Sequence, residues 1–346
     1  MKFLLSFFFG VILTTSSLVA AENRIVLIEQ AKRLSESVIK KSATSESEKN
    51  PDGGYNADVS VVDCFADMEY RFYTDGRYQN KPIRFRLLLP DKIRSGKKYP
   101  LVVWFHGKGE SGEDNTRQLA HVQSTIEFLA GKNKLDFFLL ATQCPEDNPY
   151  WDVSVGQEGK GDAPITILDE ILDAVCEEYP IDQKKLSIYG HCSGGNAAWQ
   201  FADRYPNRFA AMIVCSSSPG TARAESFRNT AIWAFNNKDD TPPTFEQTGR
   251  LLDEINELGG IAMMTLHKIG GHDSWTNALS KEKVVAWMLT QSLDHGGPPP
   301  GFLYRHRSVL TRFLLFYLPI ILAVGVVLLR FLCIPNVSER KEGEDV

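Results

Sequence analysis

The chain has 346 residues, 43% hydrophobic and 23% charged, a composition that excludes disorder and collagen-like structure and fits a folded protein with a sizeable core. Its 38 Lys and Arg against 43 Asp and Glu leave a formal charge of -5, so no global basic field exists to hold a phosphate backbone, and nucleic acid is not an expected partner. Both ends carry apolar runs that read as export and membrane signals and stand outside the fold argument.

At the start, Lys2 precedes an apolar stretch over residues 3–13, and Thr14, Thr15, Ser16 and Ser17 lead to small residues ending at Ala21. This pattern predicts a signal peptide over 1–21, cleaved after Ala21. Residues 24–41 read as an amphipathic helix and 42–54 as a polar linker, so 22–54 is expected to be a helical extension ahead of a domain spanning 55–295.

Within that domain, short buried strands are expected at 83–89, 100–105, 136–141, 186–189, 210–214, 230–235 and 263–267. Helices are expected at 116–129, 165–178, 196–204, 244–257 and 280–292. Such alternation predicts an α/β fold with a mostly parallel central sheet flanked by helices. In such sheets the chemistry sits beyond the carboxyl ends of the strands.

Four loops follow those strand ends. After the strand ending at Tyr189 comes Gly190-His191-Cys192-Ser193-Gly194-Gly195 and then a helix. A nucleophile elbow needs small residues two before and two after a strained nucleophile, which puts Cys192 in that position. The helix N-terminus behind it favours a thiolate. A slipped register with Ser193 as nucleophile would put His191 where glycine is wanted.

Asn236-Asn237-Lys238-Asp239-Asp240 and Gly270-Gly271-His272-Asp273 follow the later strands, giving the chain order nucleophile, acid, base. His272 is the candidate base, Asp239 or Asp240 the carboxylate that orients it, and His267 a structural residue. The loop His106-Gly107-Lys108-Gly109 ends the first long strand. There the backbone N–H of Lys108, with that of Ser193, is placed to hold an oxyanion, and His106 is an orienting residue.

Taken together, the segment from Phe105 through Asn115, Gln143-Cys144-Pro145 with Trp151-Asp152, the elbow through Trp199, Tyr205-Pro206-Asn207-Arg208-Phe209-Ala210, and Gly271-His272-Asp273-Ser274-Trp275 resemble the phospholipase/carboxylesterase group of α/β-hydrolases, often labelled predicted peptidases. The resemblance covers about residues 83–290 and implies the α/β-hydrolase fold and esterase-type acyl transfer, with Asp240 as the better acid. The sequence departs from the pattern in three places. Cys192 stands for the usual Ser, as in the dienelactone hydrolase branch; Asn236-Asn237 replaces a His-Gly pair; and Lys108 replaces a small residue, so its side chain points away or reaches toward an anionic substrate.

Beyond the Gly296-Gly297-Pro298-Pro299-Pro300-Gly301 spacer, which opens a basic juxtamembrane stretch over 296–312, residues 313–329 are uncharged; with a snorkelling Arg330 they predict a transmembrane helix over 313–334 and a short tail over 335–346. Basic residues balance across that span, so orientation rests on the signal peptide: a single-pass membrane protein with its domain outside the cytoplasm. Cys64, Cys144, Cys176, Cys192 and Cys215 remain outside the span, an odd number that predicts one unpaired thiol. No Cys or His spacing marks a metal site, and no cofactor is expected.

The reading is a membrane-anchored hydrolase of esters, lactones or thioesters, with a small acyl-ester substrate and a Cys192, His272, Asp240 triad. The alternatives are a catalytically silent binding module or a peptidase on the same fold.

Overall fold

The structure is a computed structural model that describes residues 25–29, 56–71, 82–122, 136–146, 151, 164–241, 244–280 and 282–294. The chain divides into two units, Met1–Pro298 and Pro299–Val346, and every described residue lies in the first. Among the described residues no helix is long and apolar enough to cross a membrane. The expected signal peptide (1–21) and anchor (313–334) lie outside the described residues.

In chain order the elements are β1 (Ile25–Glu29), α1 (Val59–Val62), β2 (Phe65–Arg71), β3 (Pro82–Leu88), β4 (Tyr99–Phe105), β5 (Phe138–Thr142), α2 (Pro164–Glu178), β6 (Ile181–His191), α3 (Cys192–Arg204), β7 (Ala211–Cys215), β8 (Ala231–Asn237), α4 (Phe245–Glu257), β9 (Ala262–His267), α5 (Trp275–Leu279) and α6 (Glu282–Thr290). They build a nine-stranded sheet in the order β1-β2-β3-β5-β4-β6-β7-β8-β9. The pairs β1/β2, β2/β3 and β3/β5 are antiparallel, and every pair from β5 to β9 is parallel.

Strand period explains the two-sided core. In β4, Leu101, Val103 and Phe105 join one buried cluster with α2, α3 and α4, while Val102 and Trp104 join the opposite cluster with α5 and α6. Successive strand side chains point to opposite faces, so a strand covered on both sides must be apolar at nearly every position. This is why β4, β5, β7 and β8 are continuous apolar runs and were the most legible elements.

The structure corrects the helical extension. Residues 25–29 form strand β1, paired antiparallel with β2 from Ile25 opposite Tyr70. Ile25, Val26 and Ile28 are β-branched, and Ile25, Val26, Leu27 and Glu29 pair with β2 around a register shift at residue 28, which outweighs the weak helical period. Strand β2 was not expected because Asp67 and Glu69 interrupt its apolar pattern; Ala66, Met68 and Tyr70 nonetheless point into the core. Asp67 is buried against Arg86 and Asn115. The expected helix at 116–129 is described only to residue 122, with a 3-10 turn at Arg117–Leu119; the expected helix at 280–292 is α6, and the short α5 precedes it unforeseen.

Candidate active site

The strand order reverses at β4, whose neighbours are β5 on one side and β6 on the other. A crevice opens at the carboxyl ends of strands at such a switch point. The loop after β4 and the turn between β6 and α3 meet there.

Cys192 opens α3 with φ of +52°, a left-handed conformation that costs a non-glycine residue on the order of 1–3 kcal/mol. Its neighbours show what forces it. A Cβ on Gly190 would lie 2.7 Å from the Gly194 carbonyl oxygen, and one on Gly194 would collide with the carbonyl oxygens of Phe105 and His106. Strand, helix and oxyanion loop therefore touch through glycine backbone, with the nucleophile candidate at the apex.

The thiol of Cys192 meets three groups: the His272 side chain and the backbone N–H groups of Ser193 and Lys108. Burial pushes the thiol up, but these hydrogen bonds and the charge of His272 outweigh burial and hold it below its ordinary value. His272 is pushed up to about 9, first by its hydrogen bond to Cys192, against desolvation, and further by Asp240. Its Nδ1 lies 2.9 and 3.1 Å from the two Asp240 oxygens, which leaves Nε2 to serve the thiol. The Asp240 side chain is fully buried whereas the His272 ring is 46% exposed. The arrangement shifts the balance toward a thiolate beside an imidazolium.

The two aspartates that sequence could not separate do different things. Asp240 holds the imidazole, while the exposed Asp239 accepts the N–H groups of Gly270 and Gly271 at 3.1 and 2.9 Å. Asp239 thus fixes the turn that presents His272. Asn237 completes the clamp, its amide donating to the carbonyls of Gly271 and Asp273 at 3.0 Å each. Ser274 Oγ donates to the Phe235 carbonyl at 2.8 Å and accepts from Ser216 Oγ at 2.8 Å. Sequence reasoning missed Asn237, Ser274 and Ser216 as supports; the replacement at Asn236-Asn237 was the one available signal.

His106 behaves as an orienting residue. It is fully buried and held down at about 4 by that burial. Its Nδ1 meets the Gly107 carbonyl at 2.7 Å, and its Nε2 accepts the Cys144 N–H at 2.8 Å. His267 ends β9 and gives its carbonyl to the Lys238 N–H at 2.9 Å. Lys108 is exposed while its backbone faces Cys192.

Residue spacing marked no metal centre, yet the fold gathers Glu110, His121 and His191 with ligand atoms all within 4.8 Å of one another. Burial pushes the Glu110 carboxyl up, but bonds to His121 and His191 outweigh it and hold the group well below the usual carboxylate range. Trp275 stands between this cluster and the base, its ring centroid 4.9 Å from that of His191, 5.6 Å from His121 and 5.6 Å from His272.

Residues 77–288 match the family model described as "Putative esterase". A curated relative, S-formylglutathione hydrolase of Bos taurus, is 22% identical over 162 residues, which are 44% of this chain and 57% of the relative. The chain thus matches little more than half of that relative's length. Among solved structures, a thermostable esterase superposes with a TM-score of 0.58 at 25% identity, covering 67% of this chain and 64% of its own. An acylaminoacyl peptidase of Pyrococcus horikoshii superposes with a TM-score of 0.51 at 14% identity, over 68% of this chain and 43% of its own, a likeness of fold alone.

Proposed function

This chain belongs to the esterase family of α/β-hydrolases and is a hydrolase, and from that premise we propose that it cleaves acyl esters, lactones or thioesters through a Cys192, His272, Asp240 triad. The observation that carries the reading is convergence on one sulfur: Cys192 hydrogen-bonds His272, itself backed by Asp240, and the N–H groups of Lys108 and Ser193.

The chemistry follows from that geometry. The Cys192 thiolate attacks the carbonyl carbon, and the charge that develops on oxygen is taken by the Lys108 and Ser193 N–H groups. The carbon–leaving-group bond breaks as the imidazolium of His272 protonates the departing alkoxide or thiolate, leaving an S-acyl enzyme. Neutral His272 then removes a proton from water, the hydroxide adds to the thioester, and the thiolate departs as the acid forms. Asp240 keeps the ring in the tautomer both steps need.

A thiolate leaves more readily than an alkoxide, so an ester intermediate tends to collapse backwards unless His272 protonates the leaving oxygen. With a thioester substrate the two departing sulfurs are matched. The name of the bovine relative describes hydrolysis of an S-formyl thioester, which supports testing thioesters early.

Hydrolysis of p-nitrophenyl acetate by the parent, Cys192→Ala and Ser193→Ala proteins tests the assignment. Loss of more than about 10⁴-fold in Cys192→Ala alone is expected; retention there with loss in Ser193→Ala overturns it. We further propose that residues 1–21 and 313–334 export and anchor the chain with the hydrolase domain outside the cytoplasm. The uncharged run at 313–329 supports this. Recovery of the full chain in alkali-washed membranes, with the domain digested by protease added outside intact cells, is the expected result.

A further inference from the structure

Behind the elbow lies a second cluster that the proposed chemistry does not use. Glu110 ends the 3-10 turn Lys108–Glu110 of the oxyanion loop and is 3% exposed. The ion-pair partners recorded for its carboxylate are two imidazoles: His191 Nε2 lies 3.3 Å from Oε2, and His121 Nε2 lies 3.3 Å from Oε1. Buried charges in folded proteins are paired or coordinate metals.

Neither neutral tautomer of His191 satisfies this set. The Gly107 N–H donates to His191 Nε2 at 3.1 Å, so that nitrogen carries a lone pair, and the lone pair also faces the carboxylate. Moving the proton onto Nε2 satisfies Glu110 but turns an N–H against that of Gly107, and it leaves Nδ1, buried without a hydrogen-bond partner, as an orphan acceptor. Both neutral tautomers leave a conflict at Nε2; an ion there would relieve the contact of the lone pair with the carboxylate while taking the acceptor of the Gly107 N–H.

We propose that Glu110, His121 and His191 form a binding site for a divalent cation of the zinc class, seated between the oxyanion loop and the nucleophile elbow. Two imidazole nitrogens and one carboxylate oxygen are donors that zinc takes, with a fourth position left for water. Bonds of about 2.0–2.2 Å at tetrahedral angles place neighbouring ligand atoms roughly 3.3–3.5 Å apart. Each carboxylate oxygen already lies 3.3 Å from one imidazole nitrogen, Oε2 from His191 and Oε1 from His121, and one oxygen with the two nitrogens falls within 4.8 Å, so a closing movement of the three side chains completes the set. The His121 side chain, 12% exposed, is the least buried of the three. With the ion on Nε2, the His191 Nδ1–H lies among the rings of Trp104, Tyr189 and Trp275, whose faces are weak acceptors.

The site is coupled to the oxyanion loop by one shared lone pair. An ion on His191 Nε2 takes the acceptor of the Gly107 N–H, and Gly107 precedes Lys108, whose own N–H is aimed at Cys192.

The test uses the full chain carrying Cys192→Ala, which removes the thiol as a competing ligand and makes the result independent of the proposed nucleophile. Titration with Co²⁺ is expected to give one equivalent per chain, with visible bands of a low-coordinate nitrogen and oxygen set, no thiolate charge-transfer band, and displacement by Zn²⁺. Adding Glu110→Gln or His121→Ala is expected to weaken binding by more than ~100-fold with an unchanged far-ultraviolet circular dichroism spectrum. If Glu110→Gln fails to fold, His121→Ala carries the comparison, since its side chain is the least buried. Absence of stoichiometric Co²⁺ binding in Cys192→Ala, or binding that survives His121→Ala, overturns the proposal.

Discussion

Two carboxylate–imidazole pairs adjoin Cys192, one through the contact of His272 with its thiol and one through His191, which precedes it in the chain, and they have opposite electrostatics. In Asp240–His272 the carboxylate is buried and the ring half-exposed, and the imidazole is pushed up to about 9. In Glu110–His191 both partners are buried, and burial holds His191 below its ordinary value even though Glu110 raises it. A carboxylate neighbour therefore does not fix an imidazole's charge. Solvent access and a second anion do: His272 has water on one side and the Cys192 thiol on the other, whereas His191 has aromatic rings.

Breaking the first pair should have the largest effects. His272→Ala is expected to cost about 10⁴-fold or more in kcat/KM for p-nitrophenyl acetate. Asp240→Asn should cost between roughly 10² and 10⁴-fold, because the amide's N–H₂ group can favour the wrong ring tautomer. Asp239→Asn, on the exposed side of the same loop, should stay within about threefold. Equal losses in the two aspartate variants would erase the distinction between orienting the ring and fixing its turn.

A smaller effect sharpens the charge argument. A group whose folded pKa lies below its ordinary value is ionised above that lowered value, so Cys192 should be alkylated by iodoacetamide faster than an ordinary thiol at the same pH, with the rate falling as pH drops through the lowered value. In His272→Ala the thiol loses its main charge partner, and the neutral-pH rate should fall roughly tenfold or more. A pH profile unmoved by His272→Ala would show that the backbone N–H groups alone depress the thiol. Smallest, Ser274→Ala should lower stability by about 1–3 kcal/mol by orphaning the Ser216 hydroxyl and leaving the Phe235 carbonyl with only the Ser216 N–H of its two donors, read from the midpoint of urea unfolding.

What was legible in the sequence was what repeats with a short period or sits on a strand end. The two-sided strands β4, β5, β7 and β8 are unbroken apolar runs, and the elbow glycines stand where backbone packing leaves no room for a Cβ. Strand β2 was hidden because it buries a charge, Asp67, whose arginine partners Arg84 and Arg86 lie on β3. Strand β1 was misread because a five-residue segment shows both periods equally well until a partner edge is known. The identity of the acid could not be decided locally, since Asp239 and Asp240 are adjacent and only the path of the His272 loop separates them. The Glu110, His121 and His191 cluster was invisible for the same reason: its members come from three separate segments joined only by the strand order.

The position of Trp275 has an optical consequence. Its indole touches His121, His191 and His272, and a protonated imidazole quenches indole emission by accepting an excited-state electron. Trp275 therefore reports intrinsically on both histidine clusters. Deprotonating His272 should brighten it, and a paramagnetic ion beside His121 and His191 should darken it, so one fluorophore reads the base and the cation site without an added label.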